Sequence, residues 1–160
     1  MISNVLVVCA GNICRSPMAE ALLHRVLKDY DVDAVRSISV SSCGLTAVVD
    51  SPAAELAVEV MDECGIDIRA HRGRQIDPQL VDWADLVLVM EESHRKAIHR
   101  LRPSSRGKVF RIGHFDSIDV PDPYRKPKEA FIAALGIIRK GVAQWAGKIA
   151  DAHSNQKELG

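Results

Sequence analysis

The chain has 160 residues, a formal net charge of +0 and a hydrophobic fraction of 47%. This length fits one domain with a full core, and the balanced charge gives no general attraction for nucleic acid or for an anionic membrane. The four cysteines are few for a disulfide scaffold and lack the paired Cys-x-x-Cys spacing of zinc sites, which favours reduced thiols in a cytoplasmic protein.

The sequence shows no signal-peptide pattern, no apolar run long enough to span a membrane and no internal repeat. We therefore expect a cytoplasmic protein with no membrane insertion and no nucleic-acid partner. One domain should cover residues 1–152, and the polar residues 153–160 should form a frayed tail.

The first predicted element is a buried strand over Val5–Val8, which leads into the string CAGNICRSP. Amide groups of a tight loop and the unpaired N–H groups of a following helix converge on one point and bind anions. Arg15 adds a planar fork for two phosphate oxygens, and Cys9 lies where a thiolate is favoured and nucleophilic. The stretch predicts phosphoryl transfer through a covalent cysteine intermediate; the alternative is a buried strand-end cysteine beside an ordinary helix.

Helices and strands alternate along the rest of the chain. Apolar residues recur at helical spacing from Pro17 to about Tyr30, with Ser16 as the expected N-cap and Pro17 at the first helical position. The later predicted elements are a strand over Ile38–Val40, a helix over Ala53–Cys64, a strand over Leu86–Met90, a helix over Glu92–Leu101, a strand over Lys108–Ile112 and a helix from Lys128 to about Ala150.

This alternation predicts a single three-layer α/β domain. We expect a four-stranded parallel sheet with helices on both faces and the phosphate-binding loop after the first strand. Ligands of such folds bind beyond the carboxyl ends of the strands. The segments holding Cys9, Ser42, Met90 and Asp122 all follow predicted strands, so they should face one crevice.

Asp122 is the candidate general acid. A phenolate leaves more readily when it is protonated, so phosphoryl transfer from tyrosine needs an acid. Asp122 lies after the fourth predicted strand between two prolines, which stiffen the backbone that holds it. The alternative is an ordinary turn aspartate, since Asp-Pro is a common turn dipeptide.

Three strings carry a family resemblance: the Cys-x5-Arg-Ser pattern, the fuller CAGNICRSP and the distant Asp-Pro-Tyr. With them the chain resembles the low-molecular-weight protein tyrosine phosphatases from Asn4 to about Ala150. The resemblance implies that Cys9 is the nucleophile, that Arg15 binds phosphate, that Ser16 supports the thiolate and that Asp122 is the acid. The phosphate-binding loop would comprise Ala10, Gly11, Asn12, Ile13, Cys14, Arg15 and Ser16.

The same resemblance implies two further sets of roles. Asn12, Ser42 and His71 would hold the phosphate loop in its strained shape, and Cys14 would take part in reversible oxidation. The catalytic cycle would be a metal-independent double displacement without any cofactor. The sequence leaves the oligomeric state open, with a monomer favoured, and the expected partner is a phosphotyrosine protein.

The segment Leu45–Asp50 lacks the aromatic residue that many members of the family place against the substrate ring. Aliphatic versions of this segment, with the strings Gly113-His-Phe-Asp and Pro121-Asp-Pro-Tyr-Arg125, resemble the bacterial branch. Members of that branch dephosphorylate tyrosine autokinases that control capsule or exopolysaccharide assembly. The expected pocket walls are Leu45, Val48, Val49 and Tyr124.

Two alternatives remain at this stage. An arsenate reductase on the same scaffold would need further cysteines to relay a disulfide, and the chain has no cysteine beyond Cys64. A non-catalytic phosphotyrosine-binding module is disfavoured by the presence of Cys9, Arg15 and Asp122 together.

Overall fold

The computed structural model describes residues 1–158, which form four β-strands and six α-helices. The strands are β1 (Asn4–Cys9), β2 (Ser39–Gly44), β3 (Leu86–Val89) and β4 (Val109–Arg111). The helices are α1 (Arg15–Lys28), α2 (Asp33–Arg36), α3 (Glu55–Glu63), α4 (Pro78–Trp83), α5 (Glu92–Leu101) and α6 (Lys128–Glu158).

The strands form one parallel sheet in the order β2-β1-β3-β4. Alternate residues of the central strand β1 point to opposite faces, so both faces are apolar. Val5 and Val7 pack in a large core with α1, α3 and α6, whereas Leu6 and Val8 pack in a smaller core with α4 and α5. The predicted three-layer α/β domain with a four-stranded parallel sheet is confirmed.

The first helix begins two residues earlier than the sequence predicts. Helix α1 starts at Arg15, its N-cap is Cys14, and Ser16 lies within the first turn without a capping bond. Pro17 is still tolerated because the first-turn N–H groups of a helix have no intrahelical partner. The expectation that Ser16 is the N-cap is therefore wrong, and its hydroxyl lies 2.9 Å from Cys9 Sγ instead.

Two short helices escaped the sequence pattern, because four or six residues do not complete two turns of hydrophobic periodicity. Helix α2 has four residues and α4 has six. Helix α4 is nonetheless well specified: the Asp77 carboxylate accepts a hydrogen bond from the Leu80 N–H at 2.8 Å, and Pro78 occupies the first turn.

The last helix continues beyond the expected end near Ala150, to Glu158. The expected frayed tail is thus helical over residues 153–158, and residues 159–160 lie outside the described part. The His153 side chain is buried, with its Nε2 2.9 Å from the Ile2 carbonyl oxygen. This contact holds the end of α6 against the N-terminal strand.

Over residues 1–158, no helix combines the length and the apolar character that crossing a membrane requires.

Candidate active site

Residues 10–14 connect β1 to α1 and, together with the first two residues of α1, form a loop over residues 10–16 that encloses a small cavity. Its peptide carbonyls turn outward: those of Cys9, Ala10 and Gly11 accept hydrogen bonds from Leu45, Thr46 and Val48 at 2.9–3.0 Å. The Ile13 carbonyl accepts another from Ala54 at 2.8 Å. Because the N–H of a trans peptide points opposite to its carbonyl, this arrangement turns the loop N–H groups toward the cavity, which suits an anion.

Two backbone features make this loop compact. Asn12 adopts a left-handed conformation with φ 58°, which asparagine tolerates better than most residues. At the end of β2, a Cβ atom on Gly44 would lie 2.6 Å from the Ala10 carbonyl oxygen, so a side chain there would push the loop away from the sheet.

The Cys9 thiol lies at the floor of the cavity and is almost fully buried. Its Sγ is 2.9 Å from the Ser16 hydroxyl and accepts a hydrogen bond from the Asn12 backbone N–H at 3.3 Å. Both groups can donate to a thiolate, and hydrogen bonds to a charged form stabilise that form. The protein therefore places two hydrogen-bond donors beside the Cys9 sulfur.

The Asn12 side chain ties the loop to its surroundings and is fully buried. Its amide group donates to the Ser16 hydroxyl at 2.8 Å and to the Ser42 hydroxyl at 3.0 Å. Its oxygen accepts the Arg74 backbone N–H at 2.9 Å. Asn12 and Ser42, which the resemblance links to loop support, are thus brought together.

His71 reaches the same loop from the segment after α3. Its Nε2 donates to the Asn12 carbonyl at 2.6 Å, and its Nδ1 lies 4.0 Å from the Glu20 carboxylate on α1. Burial lowers the pKa of His71, and the nearby Arg72 charge adds to this shift. The ring is accordingly neutral at pH 7 and carries its proton on Nε2.

Arg15 is buried despite its charge, with 2% of its surface exposed. Its Nη1 donates to the Glu91 carboxylate at 2.7 Å and to the Val120 carbonyl at 2.7 Å. The same Glu91 oxygen is 3.1 Å from Nε2 of the buried His94. One edge of the guanidinium is therefore held by the protein, which leaves the other nitrogens directed toward the cavity.

Asp122 lies at the rim, with its carboxylate 3.7 Å from Arg15 Nη2 and about half of its side chain exposed. Its other oxygen accepts the Tyr124 backbone N–H at 3.1 Å, which closes a turn. Asp122 also lines the cavity that contains Cys9. The segment after β4 thus delivers a carboxylate to the mouth of the phosphate-sized cavity.

The cavity has a volume of about 220 Å³. It is lined by Cys9, Ala10, Gly11, Ile13, Cys14, Arg15, Thr46, Val48, Asp122 and Tyr124. Two of the predicted wall residues are absent from this set. Leu45 follows β2 directly and packs against the smaller core, and Val49 faces solvent with 59% exposure. The expectation that they line the pocket is wrong, and Ile13 and Thr46 take their place.

Cys14 lines the same cavity as Cys9 and is buried. Burial, followed by the charges of Cys9 and Asp122, raises the pKa of Cys14 to about 12. Cys14 is therefore a neutral thiol at pH 7, and a neutral thiol is a poor nucleophile. Cys43, on β2 in the smaller core, is fully buried, and no role in the site is apparent.

Sequence reasoning missed two contacts, that of Glu91 with Arg15 and that of the Arg74 backbone N–H with Asn12. Glu91 resembles an ordinary acidic residue in the first turn of a helix, and Arg74 resembles a solvated surface arginine. The one available signal was position, because Glu91 follows the strand that pairs with β1 and therefore lies beside the loop.

Three comparisons identify relatives of the chain. The family model described as low molecular weight phosphotyrosine protein phosphatase matches residues 4–157. The probable low molecular weight protein-tyrosine-phosphatase EpsP of Ralstonia solanacearum is 46% identical over 149 residues, covering 93% of this chain and 97% of that protein. The crystal structure of the tyrosine phosphatase Wzb from Escherichia coli K30 with sulphate has a TM-score of 0.86 at 40% identity, covering 93% of this chain and 99% of that one.

A more distant structural relative is described as an enzyme with a different activity. The YwlE arginine phosphatase from Geobacillus stearothermophilus has a TM-score of 0.85 at 33% identity and covers 95% of this chain and 96% of that one. The stronger identities are with tyrosine phosphatases, and the resemblance predicted from the sequence is confirmed. This chain belongs to the low molecular weight phosphotyrosine protein phosphatases and is a protein-tyrosine-phosphatase.

Proposed function

We propose that the enzyme hydrolyses phosphotyrosine through a phosphocysteine intermediate. In the first step the Cys9 thiolate attacks phosphorus, so that an S–P bond forms while the bond from phosphorus to the tyrosine oxygen breaks. Asp122 transfers its proton to the departing oxygen. Arg15 and the N–H groups of residues 10–16 bind the equatorial oxygens, whose charge is concentrated in the transition state.

In the second step the Asp122 carboxylate takes a proton from water as that water attacks phosphorus. The S–P bond breaks and Cys9 leaves as a thiolate, which the Ser16 hydroxyl and the Asn12 N–H stabilise. Inorganic phosphate departs and Asp122 is again protonated. Both half-reactions use the same residues, and no metal ion takes part.

The observation that carries this proposal is the placement of a sulfur, a guanidinium and a carboxylate around one cavity. Cys9 Sγ has two hydrogen-bond donors at 2.9 and 3.3 Å, and Arg15 Nη2 lies 3.7 Å from the Asp122 carboxylate at the rim. A nucleophile below and an acid above a bound phosphoryl group match in-line displacement.

For the physiological substrate we propose a phosphotyrosine protein of polysaccharide synthesis, a bacterial tyrosine autokinase in the first place. The support is resemblance: the aliphatic wall segment and the Pro121–Arg125 string are those of the bacterial branch, and EpsP and Wzb are among the relatives. Tyr124 and Val48, 46% and 47% exposed, offer apolar rim surface to the ring and its flanking residues.

The site is less suited to two other activities, arsenate reduction and phosphoarginine hydrolysis. Arsenate reduction needs a cysteine relay leading away from the nucleophile, but Cys43 is fully buried in the smaller core and Cys64 lies beside Arg139 of α6. Phosphoarginine hydrolysis would place a guanidinium against the apolar side chains of Ile13 and Val48 and the ring of Tyr124, while the carboxylate of the lining, Asp122, is proposed as the acid. These walls suit a phenyl ring better.

The test is a burst experiment with p-nitrophenyl phosphate in the absence of metal, with arsenate plus thioredoxin and phosphoarginine as parallel substrates. We expect one equivalent of p-nitrophenol in the burst and a phosphorylated Cys9 peptide by mass spectrometry after acid quench. Cys9→Ser should lose turnover yet still bind inorganic phosphate. Arg15→Lys, which keeps the charge but not the fork, should lose most of that binding.

Three results would contradict the proposal. Substantial turnover by Cys9→Ser would exclude the covalent mechanism. Phosphate recovered on a residue other than Cys9 would assign a different nucleophile. Faster turnover of arsenate or phosphoarginine than of phosphotyrosine peptides would replace the proposed substrate class.

A further inference from the structure

The segment that carries Asp122 is attached to the sheet through two adjacent residues, Asp119 and Val120. The Asp119 carboxylate oxygen Oδ1 accepts a hydrogen bond from the backbone N–H of Glu92, the first residue of α5, at 3.1 Å. The same oxygen accepts Nη1 of Arg111, the last residue of β4, at 3.0 Å. One carboxylate oxygen thus joins the acid segment to the end of a strand and to the start of a helix.

The residue after Asp119 continues this attachment through its backbone. The Val120 N–H donates to the Met90 carbonyl at 2.9 Å, and the Val120 carbonyl accepts Arg15 Nη1 at 2.7 Å. The Val120 side chain is fully buried. The position of residues 119–120 is therefore fixed relative to both β3 and the phosphate-binding guanidinium.

Asp122 has few contacts of its own. Its side chain is about half exposed, and its polar contacts are the N–H of Tyr124 at 3.1 Å and Arg15 Nη2 at 3.7 Å. Pro121 and Pro123 restrict the backbone on either side. A stiff segment transmits the position of its anchored end, so the location of the Asp122 carboxylate follows from the anchor at residues 119–120.

We propose that Asp119 is a positioning residue for proton transfer, acting through the backbone of residues 120–122 on the acid Asp122. This inference rests on the proposed function, since it takes Asp122 to be the acid. Proton donation requires the carboxyl group within hydrogen-bond reach of the leaving oxygen, and a misplacement of about 1 Å can cost on the order of 10²-fold in rate. The Asp119 carboxylate makes its hydrogen bonds to Glu92 and Arg111 and not to Arg15, so phosphate binding should not require it.

The charge of Asp119 is central to its role. The carboxylate faces the guanidinium of Arg111 and the N-terminus of the ten-residue helix α5, where the helix dipole favours a negative group. Glu92 also faces Arg111, at 3.6 Å, but its carboxylate belongs to α5 and does not touch the acid segment. Asp119 is therefore the acidic group through which this cluster holds residues 119–122.

The test measures kcat/KM for two substrates that differ in leaving group, phenyl phosphate and p-nitrophenyl phosphate, together with the inhibition constant for inorganic phosphate. The variants are Asp119→Ala, which removes the anchor, and Asp119→Asn, which keeps an oxygen acceptor but not the charge. Asp116→Asn is the matched control, because Asp116 lies in the same segment and pairs with Lys140 and Gln144 of α6. Thermal unfolding confirms that each variant is folded.

We expect Asp119→Ala to lower kcat/KM for phenyl phosphate by about 10- to 100-fold, and that for p-nitrophenyl phosphate by less than about threefold, because a good leaving group needs little protonation. Asp119→Asn should lie between wild type and Asp119→Ala. Phosphate inhibition should stay within about twofold in both, and Asp116→Asn should match wild type.

A double variant distinguishes the positioning role of Asp119 from the proposed role of Asp122 as the acid. If Asp119 acts through Asp122, adding Asp119→Ala to Asp122→Asn should reduce kcat/KM for phenyl phosphate by no more than about twofold further. If Asp122→Asn alone shows equal losses on both substrates, Asp122 is not the acid and the proposed function fails at that residue.

Suppose that Asp122→Asn loses more activity on phenyl phosphate than on p-nitrophenyl phosphate, as an acid should. Any of three results would then refute the positioning role of Asp119. The first is wild-type kinetics for Asp119→Ala on both substrates. The second is an equal loss on both, which marks general damage. The third is a full additional loss in the double variant, which would mean that Asp119 acts independently of Asp122.

Discussion

Replacing Asn12 by alanine should separate the support of the phosphate loop from its chemistry. The buried side chain makes three hydrogen bonds, to Ser16, to Ser42 and to the Arg74 backbone. Cys9 loses no direct partner, because the donor to its Sγ is the backbone N–H of Asn12. The substitution therefore tests how much free energy keeps the loop in its anion-binding shape.

The expected loss follows from these contacts. Each hydrogen bond contributes about 1 kcal/mol net, which gives about 3 kcal/mol for the three. Alanine at φ 58° adds about 1 kcal/mol, because its Cβ is disfavoured in the left-handed region. We expect the free energy of unfolding to fall by about 4 kcal/mol, which most domains with a stability of about 5–15 kcal/mol survive.

The assay is urea unfolding at pH 7, with the inhibition constant for phosphate measured in parallel. Two controls divide the effect. Asn12→Gly loses the same hydrogen bonds but accepts a positive φ, so it should be about 1 kcal/mol more stable than Asn12→Ala. Ser42→Ala removes one hydrogen bond and should cost about 1 kcal/mol. A loss below about 1 kcal/mol for Asn12→Ala, with unchanged phosphate binding, would refute the reasoning.

Three further predictions concern oxidation, pH and specificity. Peroxide should inactivate the enzyme by forming a Cys9–Cys14 disulfide that mass spectrometry detects, and phosphate should protect against this. Dithiothreitol should reduce the disulfide and restore activity, whereas Cys14→Ser should recover poorly. Burial lowers the pKa values of His71 and His94 below 6.5, so these two side chains bind fewer protons in the folded chain than in the unfolded chain. The free energy of unfolding should therefore fall as the pH drops below about 6.5, until the pH has passed the folded-state pKa values. Discrimination among short phosphotyrosine peptides should be weak, and Val48→Trp should tighten their binding by about 1 kcal/mol through ring contact.

Each of these has a contrary outcome. Full recovery of Cys14→Ser, or a disulfide from Cys9 to Cys43, would exclude the proposed redox partner. Stability measured by urea unfolding at pH 7.5, 6 and 5 should decline less in His94→Asn than in wild type, and an identical decline would remove His94 from the explanation. Strong selection by flanking sequence in peptide kinetics would show that the rim already reads its substrate.

The order of elements and the central motif were predictable because they depend on local pattern. Val5–Val8 is an unbroken β-branched and apolar run, and the Cys-x5-Arg-Ser string follows it directly. The extension of β2 to Gly44 was not predictable, because Ser41 and Ser42 have no strong strand preference. They extend the strand because β1 pairs with them in register and the phosphate loop covers Ser42.

The arrangement of the site beyond the motif depends on contacts between distant parts of the chain. Arg15 and Glu91 are separated by 76 positions, and no local property of either residue indicates their pairing. The expectation that Leu45 and Val49 line the pocket failed for a similar reason. The alternation of side chains continues past β2 and directs Leu45 into the smaller core. The chain turns at Asp50, with φ 62°, and Val49 is exposed to solvent. Side-chain direction in a loop follows from its turns, which hydrophobicity does not specify.

The outward-facing carbonyls of the phosphate loop have a consequence for how this enzyme can evolve. The wall segment holds the loop through the main-chain N–H groups of Leu45, Thr46 and Val48, which any residue except proline provides. Side chains on that wall can therefore change over generations while the loop keeps its shape. The neighbouring Gly73 cannot change in the same way, since a Cβ there would lie 2.1 Å from the Val48 carbonyl oxygen. Substitutions in the wall segment can therefore change the substrate preference while the residues around the cavity that carry the hydrolytic chemistry stay the same.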